Sequence, residues 1–166
     1  MLRGIHPAWA LLLAALVASA VAAEDLARLR RKLAQERDAD DRAKITAKIG
    51  KELLKQASNL YKQGAYTDAE DVLDLYIKAI RAAHDDLRQL KVDARRKPKG
   101  FKELEIHLRR SQRKLVDIHR RAPLENRSTV QEFITEVEAI RSELLRALLA
   151  LDQKPEANDT EDGHRP

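Results

Sequence analysis

The chain contains no cysteine and few glycines, prolines or aromatic residues. Without cysteine it has no disulfide framework, no lipid-modified cysteine at its N-terminus and no thiolate ligand for a metal or haem. Glycine and proline occur five times each, and aromatic residues make up 4% of the chain. We therefore expect a fold held together by packing alone, with no glycine-rich loop to hold a phosphate group.

Charged residues and strong helix formers are abundant instead. Asp, Glu, Lys and Arg make up 36% of the chain, the formal net charge is +5, and Ala and Leu supply much of the apolar content. This composition favours helices. No segment alternates β-branched and polar residues as a strand would. The sequence therefore predicts an all-α protein.

The first residues have the pattern of a secretory signal peptide, which we assign to residues 1–23. Arg3 precedes the apolar run 8–17, and the small residues 18–23 follow before the first acid, Glu24. The apolar and small residues together number sixteen, short of the roughly 20 that span a bilayer. We predict cleavage near Glu24 and an exported protein, periplasmic or extracellular. The alternative is an uncleaved signal, which would then attach the protein to a membrane.

The remainder divides into a helical domain, residues 24–152, and a disordered acidic tail, residues 153–166. Within the domain, apolar residues recur at helical spacing in five segments: 26–33, 45–60, 67–94, 104–122 and 130–151. The tail is too polar to bury a core-facing surface.

Turn and cap residues set the predicted boundaries of these helices. Asp40 or Asp41 is expected to cap the second helix, and Gly64 to end it. Thr67 and Glu70 have the spacing of a capping box at the start of the third helix. Further along, a break is expected at Pro98 and Gly100 and a stop before Pro123, with Asn126 or Ser128 capping the last helix.

Residues 53–79 resemble a tetratricopeptide repeat. Ala57 and Ala69 stand where that motif has small residues, Gly64 stands at its turn, and Tyr66 would cover the joint between the helices. The resemblance implies two antiparallel helices joined by a tight turn, with a second hairpin formed by the last two helices. A plain antiparallel four-helix bundle is the alternative, and both are built from two long helical hairpins.

Repeats of this kind bind peptides or proteins on a concave surface, so the resemblance implies a non-catalytic interaction or adaptor module. The protein partner is not identified by the sequence. Tyr61, Tyr66 and Tyr76 are the candidate contact aromatics.

A strongly basic block covers residues 95–121. It holds eleven basic and three acidic residues, a net charge of +8, whereas residues 122–166 hold five basic and ten acidic residues, a net charge of −5. One interpretation is that the block is neutralised internally by the acids of the last helix, which are Glu132, Glu136, Glu138 and Glu143. Otherwise it is a structural or surface-binding device that docks on an anionic membrane or cell-wall polymer.

The candidate contacts for such docking are Arg95, Arg96, Lys97, Lys99, Arg109, Arg110 and Arg113. Nucleic acid is disfavoured as the partner, since an exported protein rarely meets it and Phe101 is the one aromatic residue in the block available for stacking.

No residue pattern reaches a catalytic signature. Glu103 and His107 lie one turn apart and could share a metal, but no second ligand pair accompanies them. Ser111 follows His107 by one turn, without an orienting acid or a glycine-rich turn for an oxyanion. His84 falls on an apolar face, where a core histidine is the common case. We therefore predict no enzyme activity, no metal and no cofactor.

Overall fold

The computed structural model describes residues 24–90 and 92–149, and within these ranges it contains five α-helices and no strand. Residues 24–35 form α1. The four longer helices are α2 (Ala39–Gln63), α3 (Tyr66–Gln89), α4 (Lys99–Arg121) and α5 (Arg127–Leu149), with a 3₁₀ turn at Leu124–Asn126. The all-α prediction is confirmed. The predicted signal, 1–23, and the predicted tail, 153–166, lie outside the described residues.

Helix α2 has a side-chain cap at its start and a glycine cap at its end. The Asp38 carboxylate accepts the backbone N–H of Asp41 at 3.0 Å, so the predicted caps Asp40 and Asp41 are wrong and already lie inside the first turn. At the other end, Gly64 has φ 77° and caps the helix as predicted. A residue with a Cβ is strained in this left-handed conformation, which explains glycine at the turn.

The predicted capping box of α3 does not form. The helix begins at Tyr66, because the Ala65 carbonyl already accepts the backbone N–H of Ala69 at 3.1 Å. Thr67 is therefore within the first turn. The Glu70 carboxylate instead accepts a hydrogen bond from the Asn126 side chain at 2.8 Å, which ties the start of α3 to the turn before α5.

Helix α3 ends at Gln89 rather than at Ala94. The Asp93 carboxylate accepts the backbone N–H of Arg95 at 2.9 Å, a local bond that stabilises a turn. Ala94 is buried all the same, at 4% exposure. Its apolar character fits the helical spacing of α3, but it packs into the core from the turn.

The four long helices form two antiparallel hairpins, α2–α3 and α4–α5, which lie side by side and point in the same direction. The Asp40 carboxylate accepts the backbone N–H of Gly100 at 2.9 Å, so α2 and α4 begin at the same end. Arg81 pairs with Glu136 about midway along α3 and α5. As a result α2 and α4 form one layer of the domain, and α3 and α5 form the other.

One hydrophobic core fills the space between the layers, with contributions from all four long helices. Ala57 and Ala69 are both 0% exposed, which lets α2 and α3 approach closely beside the Gly64 turn. Helix α1 contributes Leu26, Leu29 and Leu33 as half-buried residues at its margin.

Candidate site for anionic ligands

The two layers carry opposite charge. Helix α2 has six basic and three acidic residues and α4 has eight and three, giving their layer a net charge of +8. Helix α3 has three basic and six acidic residues and α5 has three and four, giving theirs a net charge of −4. The parallel stacking of the hairpins causes this separation, because it places the two basic helices beside each other.

Two of the four acids of α5 lie against basic residues of α3, and among the described residues none of the four pairs with the basic block. Glu136 binds Arg81, and Glu143 lies 3.6 Å from His84 and 3.7 Å from Arg88. Among the described residues, no basic residue of α4 forms an ion pair with an acid of α5. The expectation that the last helix neutralises the block through ion pairs is therefore wrong, because Glu136 and Glu143 face α3, while Glu132 and Glu138 are exposed and form no ion pair in the described ranges.

In the described ranges a single ion pair joins α4 to α5, and in this pair the acid belongs to α4 and the base to α5. Glu105 of α4 is 8% exposed, and its carboxylate accepts a hydrogen bond from Arg141 of α5 at 3.0 Å. Arg109 approaches the same carboxylate at 4.0 Å. Glu105 thus anchors α5 to α4, and most of the basic side chains of α4 have no ion-pair partner among the described residues.

The seven predicted basic contacts are all exposed, and they are Arg95, Arg96, Lys97, Lys99, Arg109, Arg110 and Arg113. Some of them have local partners: Arg95 lies 2.9 Å from Asp93, and Lys99 lies 2.8 Å from Asp41. The bond between Lys99 and Asp41 lowers the pKa of the Asp41 carboxyl. Arg109 lies 4.0 Å from Glu105, and the remaining four form no ion pair within the described residues.

The three predicted contact tyrosines do not share a surface. Tyr76 is 0% exposed and Tyr61 is 3% exposed, so both rings belong to the core. Tyr66 is half-buried, and its ring centre lies 5.7 Å from that of Tyr61. A partner would therefore reach Tyr66 at the hairpin turn, but would reach the other two rings only by unpacking the core.

A groove of about 370 Å³ runs between α2 and α4 on the basic layer. Five cations line it, and they are Lys44, Lys48, Lys51, Arg110 and Lys114. Glu103 is its one acid, and its aliphatic strip consists of the half-buried Ala47 and Ile106 and the buried Leu54. No ion pair in the described ranges involves any of the five cations.

Sequence reasoning missed the α2 side of this groove. Lys44, Lys48 and Lys51 follow one another at steps of four and three, a spacing that places them along one side of a helix. Arg110 lies in the basic block on α4. Only the parallel packing of α2 beside α4 brings the two sets together.

The floor of the groove holds His107 and Ser111. The Ser111 hydroxyl donates to the His107 backbone carbonyl at 2.8 Å, which uses its only proton. The His107 Nε2 lies 3.3 Å from the Ser111 Oγ, a contact in which Nε2 is the donor as long as the hydroxyl proton is directed at the carbonyl. A nucleophile activated by a base needs the reverse arrangement, with the hydroxyl proton directed at the ring nitrogen.

Burial, with smaller contributions from the positive charges of Lys114 and Arg110, lowers the pKa of His107 to about 4. The ring is therefore neutral near pH 7. Nearby, the buried Tyr76 ring lies 5.8 Å from the His107 ring, centre to centre. The His107 and Tyr76 rings thus pack together beneath the charged side chains of the groove.

The described part of the chain contains no cluster of three or more histidine and carboxylate side chains able to hold a metal ion. None of its helices is both long enough and apolar enough to cross a membrane. The chain matches no protein-family model, no curated protein and no solved structure.

Proposed function

We propose that this is an exported, non-catalytic binding protein that docks through its basic layer, α2 and α4, on an anionic membrane surface. The observation that carries the proposal is the layer's net charge of +8, with the five cations of its groove unpaired among the described residues. Export depends on the signal-like residues 1–23. Detection of a mature N-terminus near Glu24 by mass spectrometry supports export with cleavage, whereas a chain still beginning at Met1 indicates the anchored alternative.

Electrostatic docking of this kind is moderate in strength and sensitive to salt. A Lys or Arg near an anionic lipid surface contributes about 1 kcal/mol, so the five cations of the groove supply about 5 kcal/mol together. The exposed cations outside the groove, such as Arg96 and Lys97, add to this attraction. The Debye length shortens as salt rises, which weakens every one of these contributions.

The aliphatic strip in the groove favours a membrane over a cell-wall polymer. The half-buried Ala47 and Ile106 present carbon atoms to the groove, and the buried Leu54 borders it. A polyanion with hydrophilic repeats gains nothing from such atoms, whereas a lipid offers both an anionic headgroup and a chain.

Co-sedimentation of the purified protein with vesicles tests the docking. We expect binding to phosphatidylglycerol vesicles, little binding to phosphatidylcholine vesicles, and a loss of about tenfold in affinity between low and physiological salt. The Lys48→Gln/Lys51→Gln variant should bind more weakly. Its matched control, Lys78→Gln/Arg88→Gln, removes two cations from α3 and should bind as the parent does.

Equal binding to both kinds of vesicle, or binding that does not respond to salt, would contradict membrane docking. Binding to a soluble polyanion such as polyphosphate, with no binding to anionic vesicles, would assign the basic layer to a polymer instead.

A second candidate function is an adaptor that also binds a protein partner. The acidic layer, α3 and α5, has a net charge of −4 and lies on the other side of the domain from the basic layer. It is suited to a basic protein surface. Pull-down from the native envelope should capture a partner whose retention falls in the Asp71→Asn/Asp74→Asn variant. Retention that is unchanged in that variant would argue against the acidic layer.

A further inference from the structure

The groove between α2 and α4 differs from the rest of the basic layer because it is concave and has an aliphatic strip. Its volume of about 370 Å³ falls within the range of about 300–1,000 Å³ that is usual for small-ligand sites. A flat patch of lysines attracts any anion. A groove of this size, with cations on both walls, can instead select one molecule.

The register of the two helices brings the cations of the walls together. Gly50 of α2 lies directly against His107 of α4. Lys48 and Lys51 flank Gly50 on one wall, and Arg110 and Lys114 follow His107 within two turns on the other. None of these four cations forms an ion pair among the described residues, and Glu103 is the one acid that lines the groove with them, so the repulsion between the positive charges of the two walls is offset only in part. A bound oxyanion would relieve that repulsion.

We propose that the groove binds one anionic amphiphile, a molecule with an oxyanion headgroup on a single alkyl chain. The headgroup contacts the cations of the two walls, and the chain lies along the half-buried Ala47 and Ile106, where the buried Leu54 borders the groove. This inference deepens the proposed function and rests on it for the source of the ligand, since an anionic membrane supplies such molecules. The site itself does not require a bilayer.

Isothermal titration of the purified protein with decyl phosphate, below its micelle concentration, tests the inference. We expect one molecule bound per chain. Decyl maltoside has the same chain without the charge, and inorganic phosphate has the charge without the chain. Each should bind more weakly by about tenfold or more, because each can use only half of the groove. The NMR signals of the His107 ring should shift on titration, since this ring lies on the floor of the groove.

Charge variants on the same helix distinguish the groove from general attraction. Arg110→Gln/Lys114→Gln should weaken decyl phosphate binding by about tenfold or more, because both residues line the groove. Arg113→Gln/Arg120→Gln removes the same charge from exposed positions outside the groove and should change the affinity by no more than about twofold. Ile106→Gln should weaken binding of decyl phosphate without weakening binding of inorganic phosphate. Circular dichroism confirms that each variant is folded.

Equal losses in the two double variants would overturn the inference, as would several molecules bound per chain or equal affinity for decyl maltoside. Failure here is separable from failure of membrane docking. Salt-dependent vesicle binding without one-to-one binding of decyl phosphate contradicts the groove site alone. One-to-one binding of decyl phosphate without vesicle binding contradicts membrane docking alone, and the protein would then be a carrier of free amphiphiles.

Discussion

Gly50 and His107 face each other across the contact between α2 and α4, and a Cβ atom built on Gly50 would lie 2.6 Å from the His107 Nε2. The same atom would lie 3.0 Å from a ring carbon of Tyr76. Both rings are held in place, His107 by its contact with Ser111 and Tyr76 by full burial. Glycine at position 50 is therefore required by space, although its backbone is ordinary helix.

Replacement of Gly50 by alanine should destabilise the domain. In an exposed helix this change stabilises by about 1 kcal/mol. Here the added methyl group must displace a buried ring, so we expect the free energy of unfolding to fall by about 1–3 kcal/mol. Urea denaturation measures the change. In a His107→Ala background the same replacement should cost less, and an equal cost in both backgrounds would show that the ring is not the obstacle.

Stability should decrease as the pH falls from about 6.5 to about 4. The pKa of His107 is lowered by burial to about 4 in the folded protein, against about 6.5 in an unfolded chain. Between these values the unfolded state binds the proton that the folded state excludes. The contribution of the neutral His107 ring to the free energy of unfolding is present in full above pH 6.5, and about 3 kcal/mol of it is lost by pH 4.

Denaturation curves recorded across this range for the parent and for His107→Gln provide the measurement. Burial also lowers the pKa of His84, so the parent is expected to retain some dependence from that residue, and the difference between the two proteins isolates His107. If both proteins lose stability in parallel, His107 titrates normally in the folded state.

Removal of Arg141 should cost more than removal of an exposed arginine. The side chain of Glu105 is 11% exposed and lies 3.0 Å from Arg141. Arg141→Ala leaves that carboxylate without its nearest cation, and we expect the free energy of unfolding to fall by about 2–4 kcal/mol. Arg120 pairs with Asp117 at the surface, at 3.9 Å, so Arg120→Ala should change stability by less than about 0.5 kcal/mol. Thermal unfolding of the two variants compares them, and equal shifts would show that Glu105 is well solvated.

Tyr76→Phe should leave the fold unharmed or stabilise it. The Tyr76 hydroxyl is buried and finds no hydrogen-bond partner among the described residues. Its removal eliminates a desolvated polar group, and we expect a gain of about 1 kcal/mol. Tyr66→Phe, at the half-buried ring, serves as the control and should change stability by less than about 0.5 kcal/mol. A clear loss in Tyr76→Phe would indicate that the hydroxyl is bonded after all, with Ser111 the nearest candidate.

Local signals predicted the helices well. The spacing of Leu26, Leu29 and Leu33 marked α1, the glycine at position 64 marked the end of α2, and Pro123 marked the end of α4. Each of these signals acts within a few residues of itself, through backbone conformation or helical spacing. The all-α class and the two long hairpins follow from them.

The predicted helix boundaries were wrong where a residue fits a local pattern but makes a tertiary contact instead. Ala94 fits the apolar spacing of α3, but it reaches the core from a turn stabilised by Asp93. Glu70 has the spacing of a capping residue, but its carboxylate binds Asn126, 56 residues away. Neither partner is visible from the local sequence.

The groove could not be predicted, because it depends on which helices become neighbours. The basic character of α4 was evident, and the three lysines of α2 were visible in the sequence. An antiparallel arrangement with α4 beside α3 would have mixed basic and acidic helices. Parallel stacking of the hairpins placed α2 beside α4 and so created a surface that neither segment specifies alone.

The separation of charge into two layers also makes the molecule an electric dipole. Near a negatively charged surface such a body experiences a torque before it makes any contact, and it rotates until the basic layer leads. Productive encounters then become more frequent than a random approach would allow. The hairpin turn at Gly64 and the connection 122–126 lie at one end of both layers, so this rotation would hold them beside the surface rather than on it, with the acidic layer directed outward.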